Sequence, residues 1–155
     1  GLVDRIKELA NEELQITLAI SLHAPNDTIR RQIMPIANKY TIKEIIEAVS
    51  FYYNKTRRRI TFEYSLVEGV NDSEENAKEL ISVVRGLNCH VNLIPVNPIK
   101  ERDFKQTSAY FVQNFKKILE KNRINVTIRR EMGSDIDAAC GQLRKSYMDE
   151  QNIRR

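Results

Sequence analysis

The sequence has few cysteines and no long apolar run. Its two cysteines, Cys89 and Cys140, are too few for a disulfide framework, a four-thiolate zinc site or, by themselves, a cubane iron–sulfur cluster. No apolar stretch approaches the roughly 18 residues that a membrane span requires, and no charged-then-apolar leader opens the chain. These absences predict a soluble, cytoplasmic protein, in which any metal centre takes ligands from elsewhere.

The composition is that of a globular protein with one core of ordinary size. Of 155 residues, 41% are hydrophobic and 30% are charged, with 25 Lys and Arg against 21 Asp and Glu. The basic excess lies in residues 100–155, which carry 13 basic and 8 acidic side chains. A locally basic face suits a polyanion such as RNA, although an ordinary solvated surface has the same composition.

The chain does not open with a methionine, since the first one is Met34. Leu2, Ile6 and Leu9 instead form the apolar pattern of the last turns of a helix. This pattern favours a chain that starts inside a larger folded unit. N-terminal processing is the alternative.

Four β-branched runs alternate with helical patterns along the chain. They occupy residues 15–21, 60–66, 91–95 and 125–129, and their starts are 45, 31 and 34 residues apart. This is the repeat length of a βαβ unit, so the spacing predicts an α/β protein with a parallel sheet. Four such strands do not close a barrel, which takes about eight, so they form a small open sheet or an arc of a larger barrel. The helix at the start of the chain favours the arc.

Capping signals place the helices between these strands. Capping boxes at residues 41–44 and 72–75 open two helices, Gly86 marks the end of the second, and Thr107 or Ser108 opens a third. The predicted inward-facing residues are Ile42, Ile45, Ile46, Val49, Tyr53, Ala77, Leu80, Ile81, Val84, Phe111, Phe115, Ile118 and Leu119.

Polar residues follow every predicted strand, at residues 21–27, 68–72, 95–98 and 129–131. Ligands of parallel α/β sheets bind beyond the carboxyl ends of the strands, so these segments are the candidate site. The alternative is structural: Asn-Asp and Asn-Pro are turn and cap residues, and His23 is a polar group satisfied at a strand end.

Two further polar positions fall within the predicted strands. Glu63 lies in the middle of the second run, where a carboxylate facing into a barrel is costly unless it is paired, and an outward orientation is the alternative. The Cys89-His90 pair has no partner at metal-ligand spacing and is interpreted as core.

The segment 133–143 places Cys140 between small residues and glycines. The small residues leave the thiol accessible, and the flanking glycines let the backbone turn sharply, as suits a nucleophile. Asp135 and Asp137 disfavour the reactive thiolate, unless nearby arginines compensate. A buried, inert cysteine is the alternative.

Five motifs in series identify a family resemblance. They are residues 19–27 (AISLHAPND), 34–36 (MPI), 68–72 (EGVND), 91–98 (VNLIPVNP) and 135–143 (DIDAACGQL). Together they resemble the RlmN family, dual-specificity radical S-adenosylmethionine methyltransferases that act on carbon 2 of an adenine in RNA. The match runs in order from about residue 15 to residue 143.

The resemblance implies the fold and the site. The fold would be a partial radical S-adenosylmethionine (β/α) barrel, with this chain as its C-terminal arc. The residues matching Ser21, Leu22, His23 and Asn97 contact S-adenosylmethionine in that family, and the residue matching Cys140 is the methyl carrier. In that family one S-adenosylmethionine methylates this cysteine, and a [4Fe–4S] cluster cleaves a second one to a deoxyadenosyl radical. This radical abstracts hydrogen from the S-methyl group, and the resulting methylene radical adds to the adenine.

The resemblance also implies the substrates and partners. The substrates would be 23S rRNA, at the peptidyl-transferase centre, and tRNA, next to the anticodon. The cluster would need an electron donor, and the enzyme would be a monomer without a membrane partner. The family's three-cysteine cluster motif, second cysteine, general-base glutamate and glycine-rich cofactor contact are absent from this sequence. We therefore expect residues 1–155 to be the C-terminal part of the barrel domain, with a polar tail at 144–155, and the isolated chain to be inactive.

Two alternatives remain at this point. The sister family that methylates carbon 8 of the same adenine shares the cysteine and the Ser-Leu-His pattern, but tends to depart from Asp-Ile-Asp before Ala-Ala-Cys and from Asn-Pro after the third strand. Both features here favour carbon 2. The other alternative is a non-catalytic half-barrel that binds RNA through the basic third, with Cys140 inert.

Overall fold

A computed structural model describes residues 2–12, 14–96 and 106–129. Within these ranges helices and strands alternate. In chain order they are α1 (Val3–Leu9), β1 (Leu18–Ser21), α2 (Asp27–Ile33), a 3₁₀ turn (Pro35–Asn38), α3 (Ile42–Thr56), β2 (Ile60–Leu66), α4 (Glu74–Val84), β3 (Cys89–Pro95), α5 (Ala109–Lys121) and β4 (Asn125–Ile128).

The four strands form one parallel sheet in the order β1-β2-β3-β4. The predicted α/β class and parallel pairing are therefore confirmed. The first strand is shorter than the predicted 15–21. Its pairing starts at Leu18, because Leu18 is the register partner of Ile60, the first residue of β2. Side chains take the carbonyls just before it: the Tyr52 hydroxyl donates to Ile16 O and Arg58 Nη2 donates to Gln15 O.

The two faces of the sheet differ in burial. Along β2 and β3, buried residues alternate with partly exposed ones, as the two-residue period of a strand requires. Strands joined in consecutive order by right-handed crossovers carry their helices on one face, and the buried residues of that face form a single core with the helices. The largest fully buried apolar side chains of this core include Tyr52, Tyr64, Phe62, Phe115, Leu80 and Leu93.

Capping determines where the long helices begin. Thr41 and Glu44 form the predicted capping box of α3, with the Thr41 hydroxyl accepting from Glu44 N and the Glu44 carboxylate accepting from Thr41 N. The capping box predicted at residues 72–75 is wrong by one residue, because Ser73 and Asn76 cap α4. Asp72 accepts from Gly69 N at 2.9 Å and from the Thr107 hydroxyl at 3.0 Å instead.

Helix α5 buries a different stripe from the one predicted. Ser108 is its N-cap residue, and Val112, Phe115 and Leu119 are buried at helical spacing. Phe111 lies one position away from this stripe, is 49% exposed, and packs edge-on against Tyr110. Its predicted inward orientation is therefore wrong. In α3, Tyr52 is fully buried, whereas the predicted Tyr53 is only partly buried.

None of the helices in the described ranges has the length and apolarity that crossing a membrane requires.

Candidate functional site

The candidate site begins where the chain leaves β1. Ser21 is the last residue of the strand, and the amides of Leu22 and His23 both donate to the Glu63 carbonyl, at 3.0 and 3.1 Å. Leu22 is fully buried, whereas His23 is partly buried. His23 has a φ of 58°, in the left-handed region that side-chain-bearing residues seldom adopt. The backbone therefore turns at His23, directly beyond the sheet.

The His23 imidazole is bound to the neighbouring strand. Its Nδ1 accepts a hydrogen bond of 3.1 Å from Ser65 N. Burial is the largest cause that lowers the pKa of His23 to about 4; Glu63 acts in the opposite direction, and Arg30 contributes to the lowering. The ring is therefore neutral at physiological pH.

A buried arginine donates a hydrogen bond to the same turn. Arg30, on α2, is fully buried; its Nε donates to Leu22 O at 3.1 Å and its Nη1 to Tyr40 O at 2.9 Å. Helix α2 is held in place by Asn26, which caps it through Ile29 N. The structural interpretation of the Asn-Asp pair as a helix cap is thus confirmed for Asn26.

A second buried polar side chain comes from the loop after β2. Asn71 is fully buried, and its Nδ2 donates to His23 O and to Ser65 O, each at 2.7 Å. Its Oδ1 accepts from Val67 N at 2.7 Å. The turns after β1 and β2 are therefore joined through one amide group.

The sheet face opposite the core carries a polar row. Ser21, Glu63, Asn92 and Thr127 are register partners across all four strands. The Ser21 hydroxyl donates to the Glu63 carboxylate at 3.2 Å, and the Thr127 hydroxyl donates to Asn92 Oδ1 at 3.2 Å. Glu63 thus lies on the face that the core does not cover. Its carboxylate is paired with the Ser21 hydroxyl, and such pairing lowers the cost of a carboxylate that faces into a barrel.

Two cavities flank the sheet, at opposite ends. One of about 510 Å³ lies at the carboxyl ends of β3 and β4, where Pro95, Thr107, Ser108 and Arg129 contribute to its lining. A larger one of about 640 Å³ lies at the amino end, between Ala10 and Arg58. Ligands of parallel sheets bind at the carboxyl ends, where the smaller cavity lies, but Ser21, Leu22 and His23 are not among its lining residues.

Two predicted site residues, Asn97 and Cys140, lie outside the described residues. β3 ends at Pro95, two positions before Asn97. Of the predicted set, the structure therefore places Ser21, Leu22 and His23 together at the carboxyl end of β1. It leaves the grouping with Asn97 and the role of Cys140 as predictions.

The described residues offer no cluster of three or more His, Cys, Asp or Glu side chains that could hold a metal ion. Cys89 is buried in the core, and burial raises the pKa of its thiol to about 11, which disfavours the thiolate that metals bind. His90 bonds to the Thr127 hydroxyl at 2.8 Å. A [4Fe–4S] cluster therefore does not fit the donor set of the residues that are described.

Sequence reasoning did not identify Arg30 or the bridging role of Asn71. The sequence marks Asn71 only as one polar residue of the strand-end segment 68–72. Arg30 has a local signal, since the Asn26-Asp27 pair indicates a helix start and Arg30 lies in the turn that follows. Its burial, however, depends on carbonyls 8 and 10 residues away.

The fold and this turn define a class: a parallel (β/α) arc of the radical S-adenosylmethionine type. A solved structure described as a radical SAM methyltransferase from Sphaerobacter thermophilus matches 92% of the chain with a TM-score of 0.88 and 49% identity, over 42% of that protein. A domain of pyruvate-formate lyase-activating enzyme from Bacteroides vulgatus matches at a TM-score of 0.60 and 20% identity, over 83% of this chain and 89% of that one, and supports the fold alone.

Curated relatives give the particular family. Proteins named probable dual-specificity RNA methyltransferase RlmN are 67% identical in Lachnospira eligens and 63% identical in Lachnoclostridium phytofermentans, each over 97% of this chain. The chain belongs to the RlmN family, which confirms the resemblance. It spans 43% and 42% of the length of these two relatives. A comparison with models of protein families finds no match.

Proposed function

We propose that the protein containing this chain is a radical S-adenosylmethionine methyltransferase that methylates carbon 2 of adenine in 23S rRNA, at the peptidyl-transferase centre, and in tRNA, next to the anticodon. This chain is its C-terminal arc. The observation that carries the proposal is the 67% identity to a relative named as a dual-specificity RNA methyltransferase, together with the constrained Ser21-Leu22-His23 turn. The Asp-Ile-Asp and Asn-Pro features of the sequence favour carbon 2 over carbon 8.

The residues at the turn fit S-adenosylmethionine. The cofactor has ribose hydroxyls, an ammonium group and adenine nitrogens, and supplies the methyl group and the radical when it is bound. Ser21 and Glu63 offer a hydroxyl and a carboxylate on the face that the core does not cover, and the neutral His23 offers a ring N–H. In this proposal Ser21, Leu22, His23 and Asn97 bind the cofactor.

Cys140 is the methyl carrier in this proposal. Carbon 2 of adenine is electrophilic and has no lone pair with which to attack a sulfonium methyl group, so direct transfer is disfavoured. A thiol that first accepts the methyl group can then present it to the base. Gly133 and Gly141 flank this cysteine in the sequence, and the backbone freedom of glycine suits a sulfur that is proposed to meet the cofactor and the adenine in turn.

The cluster and the partners belong to the whole protein. Two cysteines cannot supply the three thiolates of the family's cluster, so the isolated chain is expected to reconstitute no iron–sulfur cluster and to methylate no RNA. Anaerobic reconstitution with iron and sulfide analysis measures this. The whole enzyme is proposed to act as a cytoplasmic monomer with an electron donor for the cluster.

The role of Cys140 can be tested in the full-length enzyme by the substitution Cys140→Ala. We expect loss of S-methylated protein and of 2-methyladenine in ribosomal RNA and tRNA, with the cluster retained, because the carrier sulfur is gone. The matched control is Cys89→Ala, which removes a buried core thiol and should leave methyl transfer in place. Wild-type turnover by Cys140→Ala would refute the carrier role.

A further inference from the structure

Asn71 is a buried amide that is fully used in holding two turns together. It donates both Nδ2 hydrogens, to His23 O and Ser65 O, and accepts from Val67 N through Oδ1. The Tyr64 hydroxyl in turn donates to Asn71 O at 2.8 Å. Because both target groups are carbonyls, only the amide of asparagine, with two donors and an acceptor on one short side chain, satisfies this arrangement.

The turn that Asn71 holds is a strained one. His23 has a φ of 58°, which costs free energy for a residue with a Cβ and persists only where surrounding contacts enforce it. Two buried side chains supply such contacts on consecutive carbonyls, Arg30 on Leu22 O and Asn71 on His23 O. The backbone conformation of His23 is therefore held by side chains of α2 and of the loop after β2.

This conformation fixes the protonation pattern of the ring. Ser65 N is a donor, so His23 Nδ1 must be an unprotonated acceptor. A neutral imidazole with an acceptor at Nδ1 carries its hydrogen at Nε2. Asn71 binds the carbonyls of both residues in this contact, His23 and Ser65, and so sets the separation across which it forms.

We propose that Asn71 is a positioning residue that holds His23 as a neutral Nε2–H donor for an acceptor atom of S-adenosylmethionine. The inference rests on the proposed function for its ligand and goes beyond it in naming the tautomer and the residue that enforces it. In this role His23 binds and orients the cofactor and takes no part in proton transfer.

The charges around His23 agree with a neutral ring. Among the described residues, the charged groups that act on it are Glu63, from β2, and Arg30, from α2. Glu63 favours the cation, but burial and Arg30 both oppose it, and the net effect lowers the pKa to about 4. Cofactor binding through His23 should therefore be independent of pH down to about pH 5.

The first test is a spectrum of the full-length enzyme with ¹⁵N-labelled histidine. Long-range ¹H–¹⁵N correlation distinguishes the two neutral tautomers and the cation, and the signal lost in His23→Gln assigns the residue. We expect His23 to be a neutral Nε2–H tautomer from about pH 8 to about pH 5. A cation or an Nδ1–H tautomer near pH 7 would overturn the proposal without any need for a folded Asn71 variant.

The second test measures S-adenosylmethionine binding to the cluster-loaded Asn71→Ser enzyme. Serine cannot bridge the two carbonyls. We therefore expect the dissociation constant for S-adenosylmethionine to rise roughly tenfold, a change in binding free energy comparable to the loss of one hydrogen bond. The pKa of His23 should move up towards its ordinary value, and KM for the cofactor should change more than kcat. The control is Tyr52→Phe, which removes a hydroxyl bond to Ile16 O before β1 and should leave affinity unchanged.

The outcomes separate this inference from the proposed function. If His23→Gln weakens cofactor binding but Asn71→Ser loses stability alone, with His23 titration and affinity intact, Asn71 is merely structural and the inference fails. If neither His23→Gln nor Ser21→Ala changes affinity, the cofactor assignment itself is wrong and the inference falls with it. Weakened binding by His23→Gln and Asn71→Ser, with Tyr52→Phe normal, supports both.

Discussion

At the scale of single residues, Arg30 shows how a buried charge can serve a turn. Its guanidinium is fully buried beneath the carboxyl end of β1, and burial lowers its pKa from the ordinary value. Two of its nitrogens donate to the Leu22 and Tyr40 carbonyls, whereas Nη2 has no partner among the described residues. The side chain thus ties β1 to the segment that leads into α3.

The substitution Arg30→Met tests this contribution. It keeps much of the buried volume but leaves the Leu22 and Tyr40 carbonyls unpaired, so we expect a loss of about 2 kcal/mol in the free energy of unfolding, after the gain from removing a buried charge. Urea unfolding of the protein measures it. Arg31→Met, at the exposed neighbouring position, should stay within about 0.5 kcal/mol of wild type. Equal effects of the two substitutions would contradict this role for Arg30.

The sequence predicts some residues of the candidate site and not others, for a physical reason. The segment 21–27 is a candidate because ligands of a parallel sheet bind beyond the carboxyl ends of its strands, whereas the cofactor contacts of Ser21 and His23 are implied only by the family resemblance. The contact between Asn71 and His23 joins residues 48 positions apart. No local pattern reports such a contact, so Asn71 could be placed at a strand end but not assigned a partner.

At the scale of elements, capping was the most readable signal. The α3 box at Thr41 and Glu44 was predicted from residue types alone and is confirmed. The α4 start was misplaced because Asp72 and Ser73 are both good cap residues, and the choice depends on Gly69 and Thr107, which engage Asp72. Likewise the length of β1 depends on where β2 begins, which a strand's own sequence does not show.

The α3 cap is expected to contribute measurably to stability. Thr41→Ala removes the oxygen that accepts from Glu44 N, and we expect a loss of about 1 kcal/mol in the free energy of unfolding. Hydrogen bonds from Thr41 also lower the pKa of Glu44, so the box persists at neutral pH. Thermal or urea unfolding checks this, with Lys43→Ala, at an exposed position of the same turn, as the control. A larger effect from Lys43→Ala would show that the cap is not what limits α3.

At the scale of the whole molecule, exposed basic residues lie at both ends of the sheet. Helix α5 follows β3 and precedes β4, so it runs back from the carboxyl end of the sheet to the amino end. Lys121 and Arg123, both exposed, therefore lie at the end away from His23, whereas the exposed Arg129 follows β4 at the carboxyl end. Among the described residues, basic side chains of the C-terminal third thus lie at both ends of the sheet, a distinction that net charge alone could not show.

This division leads to a test of how the whole enzyme binds RNA. If the substrate approaches the carboxyl end, Arg129→Gln should remove one phosphate contact and reduce the slope of log affinity against log salt by about one, because one fewer counterion is released. Lys121→Gln removes the same charge at the opposite end and should leave the slope unchanged. Binding titrations of an rRNA fragment over a range of salt concentrations measure both. The reverse pattern would place the RNA at the amino end of the sheet, and an affinity independent of salt would show that these charges are solvated and not in contact with RNA.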